Sequence, residues 1–327
     1  MRIFLDPWDS EYTVFFQVEE EQELKDIKLD VELPKESWHP IRVRETYPIS
    51  EVMFLDGVRR MHQRVVIEKD GEIFYGGFGT YVAGALKLVK GQMNDMSSSL
   101  LEVSIKRTLI LPEKIGLSSK EFDLPGLPFP VEVKYIKDNE PQAPLKKLQD
   151  LMRTEEVTLA DYLLSFSEYR KIPLVVDGTL YFSWKNAKVL GFIKSLHNLY
   201  LPYELLSMVM DLKEGERTPI FLISFKNREL TQKYSWFLRL KSIGEKEFPY
   251  AGIVRIETPG LMERDKVFSL ADWSLSLSFF ISDRMRDKRS PQNLLPVGVL
   301  EKELKKRIGN EYLIAQRIRV FLEKEIF

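Results

Sequence analysis

An α/β fold is predicted by three stretches of the sequence. Val52 to Arg60 (V-M-F-L-D-G-V-R-R) runs four apolar residues into one acid and a glycine, the pattern of a short buried strand that delivers Asp56 to a sheet edge. Pro173 to Leu180 (P-L-V-V-D-G-T-L) repeats that device with Asp177. Between the two lies the clearest helical periodicity in the chain: Leu145, Leu148, Met152, Leu159, Leu163 and Phe166 recur at spacings of three, four or seven.

Taken in order, residues 1–50 read as peripheral strands and loops that pack on the core, with a solvated acidic cluster at Glu19, Glu20, Glu21 and Glu23. Residues 51–327 read as the main domain, carrying a C-terminal helical extension. Its first strand is expected to end at Asp56, with Gly57 turning the backbone. Gln63–Glu68 and Glu72–Tyr75 flank a K-D-G turn, a hairpin signal that continues an antiparallel meander. Gly76, Gly77 and Gly79 match no phosphate-binding fingerprint and read as a tight turn. Leu100–Leu111 alternates as a strand, with Glu102, Ser104 and Lys106 on one face, and the proline-rich Leu124–Pro130 reads as a loop.

After the helix and Asp177, strands are expected at Leu180–Trp184, at Lys188–Lys194 with Lys194 at its end, and at Pro219–Lys226, Tyr234–Leu240 and Gly252–Ile256. A helical segment is expected at Tyr203–Leu212. Two more follow at Leu294–Ile308 and Asn310–Phe327, where Lys302, Lys305, Lys306, Arg307, Arg317 and Arg319 interleave with apolar residues.

Bulk properties narrow the function classes. The chain has 327 residues, 44% of them hydrophobic and 30% charged, with a formal net charge of -1. Such a balance gives no global attraction to nucleic acid or to an anionic membrane, so a polyanion must be met by a local basic patch. The absence of cysteine excludes disulfides, thiolate metal sites and cysteine nucleophiles. His39, His62 and His197 are too scattered for a histidine-rich zinc centre. Neither a secretory signal nor a membrane-spanning run is recognisable, so a cytoplasmic location is expected.

Two strand-end carboxylates, Asp56 and Asp177, together with a glutamate on the seam of the helix, Glu155 or Glu156, make three hard oxygen donors from three elements. Magnesium and manganese prefer such donors, and two such ions bracket a phosphodiester. One lowers the pKa of an attacking water while the other stabilises the leaving oxygen. Lys194 reads either as the neutraliser of charge developing at phosphorus or as a surface lysine, and Arg59 and Arg60 are placed to engage flanking phosphates.

The segments F-L-D-G-V-R-R, M-R-T-E-E-V-T-L-A, L-V-V-D-G-T-L, V-L-G-F-I-K-S, Y-S-W-F-L-R-L and V-R-I-E-T-P occur in the order seen in the NurA nucleases. From Val52 to Leu304 the chain resembles a bacterial member of that family. The resemblance implies an RNase H-like mixed sheet flanked by helices. It also implies a manganese-dependent nuclease for single- and double-stranded DNA ends, a homodimer, and a partnership with the hexameric HerA translocase in end resection and recombinational repair. Carried over by position, it assigns Asp56, Glu156 (with Glu155 second) and Asp177 as metal ligands for Mn2+ or Mg2+, two ions in all. Lys194 is then the lysine of a glycine-x-x-lysine strand. Asn293 and Glu301 stand where archaeal members carry tyrosine and histidine, and Glu301 is a candidate fourth oxygen ligand.

Two other classes compete. One is an actin-like ATPase, whose related fold also puts aspartate-glycine turns at phosphates. The other is a non-catalytic DNA clamp or docking subunit for a translocase, with Trp184, Tyr234, Trp236 and Phe237 as a stacking platform, although at alternating strand positions such residues are more often core.

Overall fold

The computed structural model describes residues 2–5, 24–43, 49–90, 96–117, 120–182, 184, 187–226, 231–242, 249–281 and 291–325. The acidic cluster at Glu19 to Glu23 lies outside them. The described part is an α/β protein built on a 14-stranded mixed sheet with helices on both faces.

Three short strands come first: β1 (Arg2–Leu5), β2 (Leu24–Lys28) and β3 (Ile41–Arg42). The meander that organises the sheet consists of β4 (Glu51–Lys69), β5 (Glu72–Val89) and β6 (Leu100–Pro112). The K-D-G hairpin forms as its chemistry requires, with Asp70 at φ 54° and Gly71 at φ 78°, the two positive angles a tight hairpin turn needs. Next come β7 (Glu121–Phe122), β8 (Val131–Ile136), helix α1 (Ala143–Ser165), β9 (Leu174–Asp177) and β10 (Val189–Ile193). The remainder is α2 (Tyr203–Met210), β11 (Glu216–Arg217), β12 (Phe221–Phe225), β13 (Gln232–Arg239), β14 (Ile253–Pro259), α3 (Arg264–Ser274), α4 (Leu295–Ile308) and α5 (Glu311–Glu325).

The strand order is β2-β12-β13-β14-β10-β9-β4-β5-β6-β8-β7; β1 adds to β4, β11 to β13, and β3 to β11. β9 is parallel to both β4 and β10, and the meander is antiparallel. Alternation along β4 divides the core. Met53 and Leu55 pack with Leu159 and Leu163 of α1 on one face, whereas Phe54 and Val58 pack with Leu300 and Leu304 of α4 on the other. Beyond a bulge between Met61 and Gln63, Val65 and Ile67 meet Ile314 and Ile318 of α5. No helix among the described residues is long and apolar enough to cross a membrane.

Several expectations are corrected. Asp56 does not end its strand: it pairs with Gly84, and Gly57 pairs with Ala83, both well inside β4. β-forming residues continue past Gly57, so nothing turns the chain there. Gly76, Gly77 and Gly79 also lie within β5. They relieve close approaches, since a Cβ on Gly76 would stand 2.8 Å from Ile110 O and one on Gly79 2.7 Å from Leu148 Cδ1. Leu180–Trp184 forms no strand among its described residues, because the Leu180 amide donates to the Glu257 carboxylate and not to a ladder. Tyr234, Trp236 and Phe237 are core, with Trp236 Nε1 donating to Ser274 Oγ, so the stacking platform is absent there. Trp184 donates instead to Asp161 Oδ1 at 2.5 Å.

The α4 helix sits close because Gly84 lacks a side chain; a Cβ there would lie 2.5 Å from Leu304 Cδ2. Gly84→Ala is expected to lower stability by about 1–3 kcal/mol. In a Leu304→Ala background the same change should cost measurably less, a non-additivity that urea unfolding of the four proteins would read.

Candidate functional site

β9 pairs with β4 only through Met53, Phe54 and Leu55, and β1 takes up the same edge at Val65. From Asp56 to Arg64 that edge carries no strand among the described residues, and the site lies at the start of this fork. Asp177 ends β9 one register step beyond the Leu55–Val176 pair, which sets it beside Asp56. Lys194 follows β10, two residues beyond the Phe192–Asp177 pair. Phe54, Val175 and Phe192 all belong to the core under α4, so by alternation Asp56, Asp177 and Lys194 share that face.

Glu156 arrives from the opposite face. α1 crosses β4 there, and a Cβ on Gly57 would stand 2.6 Å from Glu156 Oε1, so Gly57 is the opening through which the carboxylate approaches. One residue earlier on the helix, Glu155 accepts a 2.5 Å hydrogen bond from Ser104 Oγ on β6. The helix seam thus separates the two glutamates: Glu156 is at the site and Glu155 is tied to the meander.

Lys194 Nζ lies 2.6 Å from Asp177 Oδ2 and donates to Asn293 Oδ1 at 3.1 Å. Asn293 is fully buried just before α4, so this polar residue orients the ammonium. Glu301, on α4, pairs with Lys305 at 2.7 Å and still contributes a negative potential at Asp56. Among the two arginines, Arg59 Nε donates to Gln149 on α1, whereas Arg60 pairs at 3.1 Å with Glu311 of α5. Adjacent strand residues leave opposite faces, so these arginines do not form one phosphate clamp.

Burial dominates the electrostatics. Asp56 is 8% exposed, and burial, then Asp177 and Glu301, push its carboxyl well above the usual range against the pull of Lys194 and the Gly57 amide. Burial, then Asp56 and Asp177, push Glu156 up likewise, against Arg153 and the Gly57 amide. Among the described residues no three histidine, aspartate or glutamate side chains already stand as a cation-holding group. The donor set nevertheless suits a hard divalent ion. Asp177 Oδ1 is buried without a hydrogen-bond partner, and Asp177 raises the proton affinity of both Asp56 and Glu156, a repulsion that added positive charge relieves.

A second layer, not anticipated from the sequence, holds Asp177 in place. Glu257 of β14, 1% exposed, accepts from Thr179 Oγ1 at 2.5 Å and from the Leu180 amide at 2.6 Å. Its carboxylate is met by Lys233 Nζ at 2.8 Å and by Arg255 Nη1 at 3.0 Å. The loop leaving Asp177 turns at Gly178, φ 99°, over Gly191, where a Cβ would stand 2.8 Å from Gly178 O. Burial alone would raise the Glu257 pKa, but Lys233, Arg255 and the hydrogen bonds outweigh it and hold the group at about 2. The signal was available in V-R-I-E-T: opposite charges two residues apart in an apolar strand face the same way.

These shifts have opposite signs in linkage. Asp56 and Glu156 bind protons more tightly folded than unfolded, so their contribution to stability falls as pH rises from about 4 toward their folded values. In chelator-treated protein, Asp56→Asn and Glu156→Gln should raise Tm at pH 7 and flatten that decline. Glu257 is depressed, so its contribution is present above its unfolded pKa and is lost as pH falls toward about 2. Glu257→Gln should cost about 3–5 kcal/mol at neutral pH by stranding Lys233 and Arg255; unchanged thermal stability would remove the anchoring role.

No protein-family model matches the chain, and no curated protein matches it either. What the site does therefore has to be read from its own chemistry.

Proposed function

We propose that the chain is a divalent-metal-dependent deoxyribonuclease of the NurA type, hydrolysing phosphodiester bonds at single- and double-stranded DNA ends. The observation that carries this reading is the convergence of Asp56, Glu156 and Asp177 beside Lys194, on strands and a helix far apart in sequence. Strand order supports the RNase H-like part of the proposal. In β6-β5-β4-β9-β10 only β5 runs against the others, and α1 joins the meander to the parallel pair.

Asp56, Glu156 and Asp177 would hold Mn2+ or Mg2+, with Glu301 as a further oxygen on the α4 side. Bound there, the ions would activate water and stabilise the leaving oxygen. The protein's own part is positioning. Gly57 admits the Glu156 carboxylate, Glu257 fixes the loop behind Asp177, and Asn293 aims Lys194 so that its charge stands beside the acids, where negative charge develops on a phosphate under attack. The resemblance of the sequence extends the proposal to a homodimer acting with a HerA-type hexameric translocase in end resection.

End-labelled single-stranded and duplex DNA, incubated with the protein and Mn2+ or Mg2+, should be degraded, and neither Asp56→Ala nor Asp177→Ala should cleave above background. Full activity in either variant would sink the assignment. Glu156→Gln should be inactive and Glu155→Gln active, because only the first points at the fork. Gly57→Ala should lose activity with unchanged circular dichroism, since the added methyl displaces the Glu156 carboxylate.

A further inference from the structure

Four residues along β4 from Asp56, and on the same face, Arg60, Thr80 and Arg107 stand opposite one another across β4, β5 and β6. At the rise of an extended strand, this row begins about 13 Å from the acids. α5 covers it, and Glu311 at the start of that helix neutralises Arg60.

Arg107 has no such partner. It is 6% exposed, its Nε and Nη1 are buried without a hydrogen-bond acceptor, and no carboxylate among the described residues pairs with it. His62, the extra residue of the β4 bulge, is equally buried: Nε2 lies 2.8 Å from Thr80 Oγ1, and Nδ1 has no partner. Both side chains line one small cleft with Thr80 and Thr108, closed by Leu127 and Ile318.

Among the described residues the other buried arginines each meet an anion or backbone carbonyls, although Arg255 Nε is also left without a partner. Arg217 is held by Glu32 and Asp272, and Arg255 pairs with Glu257. Arg239 donates to the carbonyls of Leu212, Ala251, Met210 and Pro249. A buried guanidinium without an anion is costly, and Arg107 stays charged even though burial lowers its pKa. The Phe129 ring, 5.4 Å from its Cζ, offsets only part of that cost.

We propose that Arg107 and His62 form a phosphate-binding site in which one phosphate oxygen enters the cleft and the rest of the group stays at its mouth. The size of the cleft supports a single oxygen, because it has room for little more than one water-sized group. Arg107 supplies the charge and two donors that are otherwise unused. Burial, then Arg60 and Arg107, hold the His62 pKa at about 3, so the ring enters as a neutral donor, with Thr80 Oγ1 donating to Nε2 and Nδ1–H pointing at the oxygen. For the source of the phosphate the inference rests on the nuclease reading: a backbone phosphate of the strand whose end lies at the acids. Free inorganic phosphate offers the same chemistry.

Two measurements on the full chain in chelator separate these cases. In thermal denaturation, inorganic phosphate at ionic strength matched with sodium chloride should raise the wild-type Tm by about 2 °C or more. It should not raise that of Arg107→Met, and Arg107→Lys, which keeps the charge but loses the fork, should lose most of the response. In titrations with single-stranded oligonucleotide across a salt series, the slope of log K against log salt should be shallower by about 0.7 in Arg107→Met if a backbone phosphate is the ligand. A phosphate response with an unchanged slope supports the site with free phosphate as its ligand. No phosphate response in the wild type together with an unchanged slope overturns it. Failure of the wild type to bind or cut DNA overturns the nuclease reading alone, because the phosphate titration still decides the site.

Discussion

Mutual repulsion among Asp56, Glu156 and Asp177 is the constraint to which the centre of this molecule answers. Asp177 raises the proton affinity of Asp56, and both raise that of Glu156, so without structure around them the three carboxylates would move apart. The neighbouring elements prevent that: β4 and β9 are locked in register, α1 presses Glu156 against a residue with no side chain, and Glu257 holds the loop behind Asp177. The restraints are strand register, helix packing and hydrogen bonds to the adjoining loop. Such an arrangement keeps charged groups aimed at one point before any ligand arrives, the preorganisation that functional sites require.

The length and pleat of β4 explain why both faces of the sheet contribute. Asp56 faces α4, so Asn293 and Glu301 approach from that side, while Gly57 faces α1 and lets Glu156 through. A carboxylate from the far face can take part because β9 stops where it does and leaves the edge of β4 open. Farther along the same strand the His62 bulge changes which residues face α5, and there the unpartnered Arg107 stands one strand beyond Thr80.

Much of this was readable from residue patterns. The apolar runs before Asp56 and Asp177 and the seam of α1 located the main elements, because burial imposes periodicity that a sequence cannot hide. The two aspartate-glycine dipeptides were misleading as a pair: Gly178 does turn the chain at φ 99°, whereas Gly57 sits in an uninterrupted ladder. The following residues do not distinguish them, since Thr179, Tyr181 and Phe182 favour a strand as well; the Leu180 amide is taken by the Glu257 carboxylate and not by a ladder. Glu155 and Glu156 could not be separated by periodicity, because a shift of one residue rotates a helix by only about 100° and both positions border the seam. Asn293 and Arg107 carried no local signal. Their significance lies in what surrounds them, Lys194 for one and an absence of acids among the described residues for the other.

The separation of the acids along the chain has a consequence for how the molecule comes together. The β4–β5 hairpin closes over a two-residue turn and needs only local contacts to set Asp56 in its ladder. Bringing Asp177 alongside requires closing a loop through the whole meander and α1, with a correspondingly larger entropic cost. A nascent or partly unfolded chain can therefore contain the hairpin without containing the charge cluster. The cluster of three acids, with the repulsion it carries, is confined to the finished molecule, and incomplete chains are spared its cost.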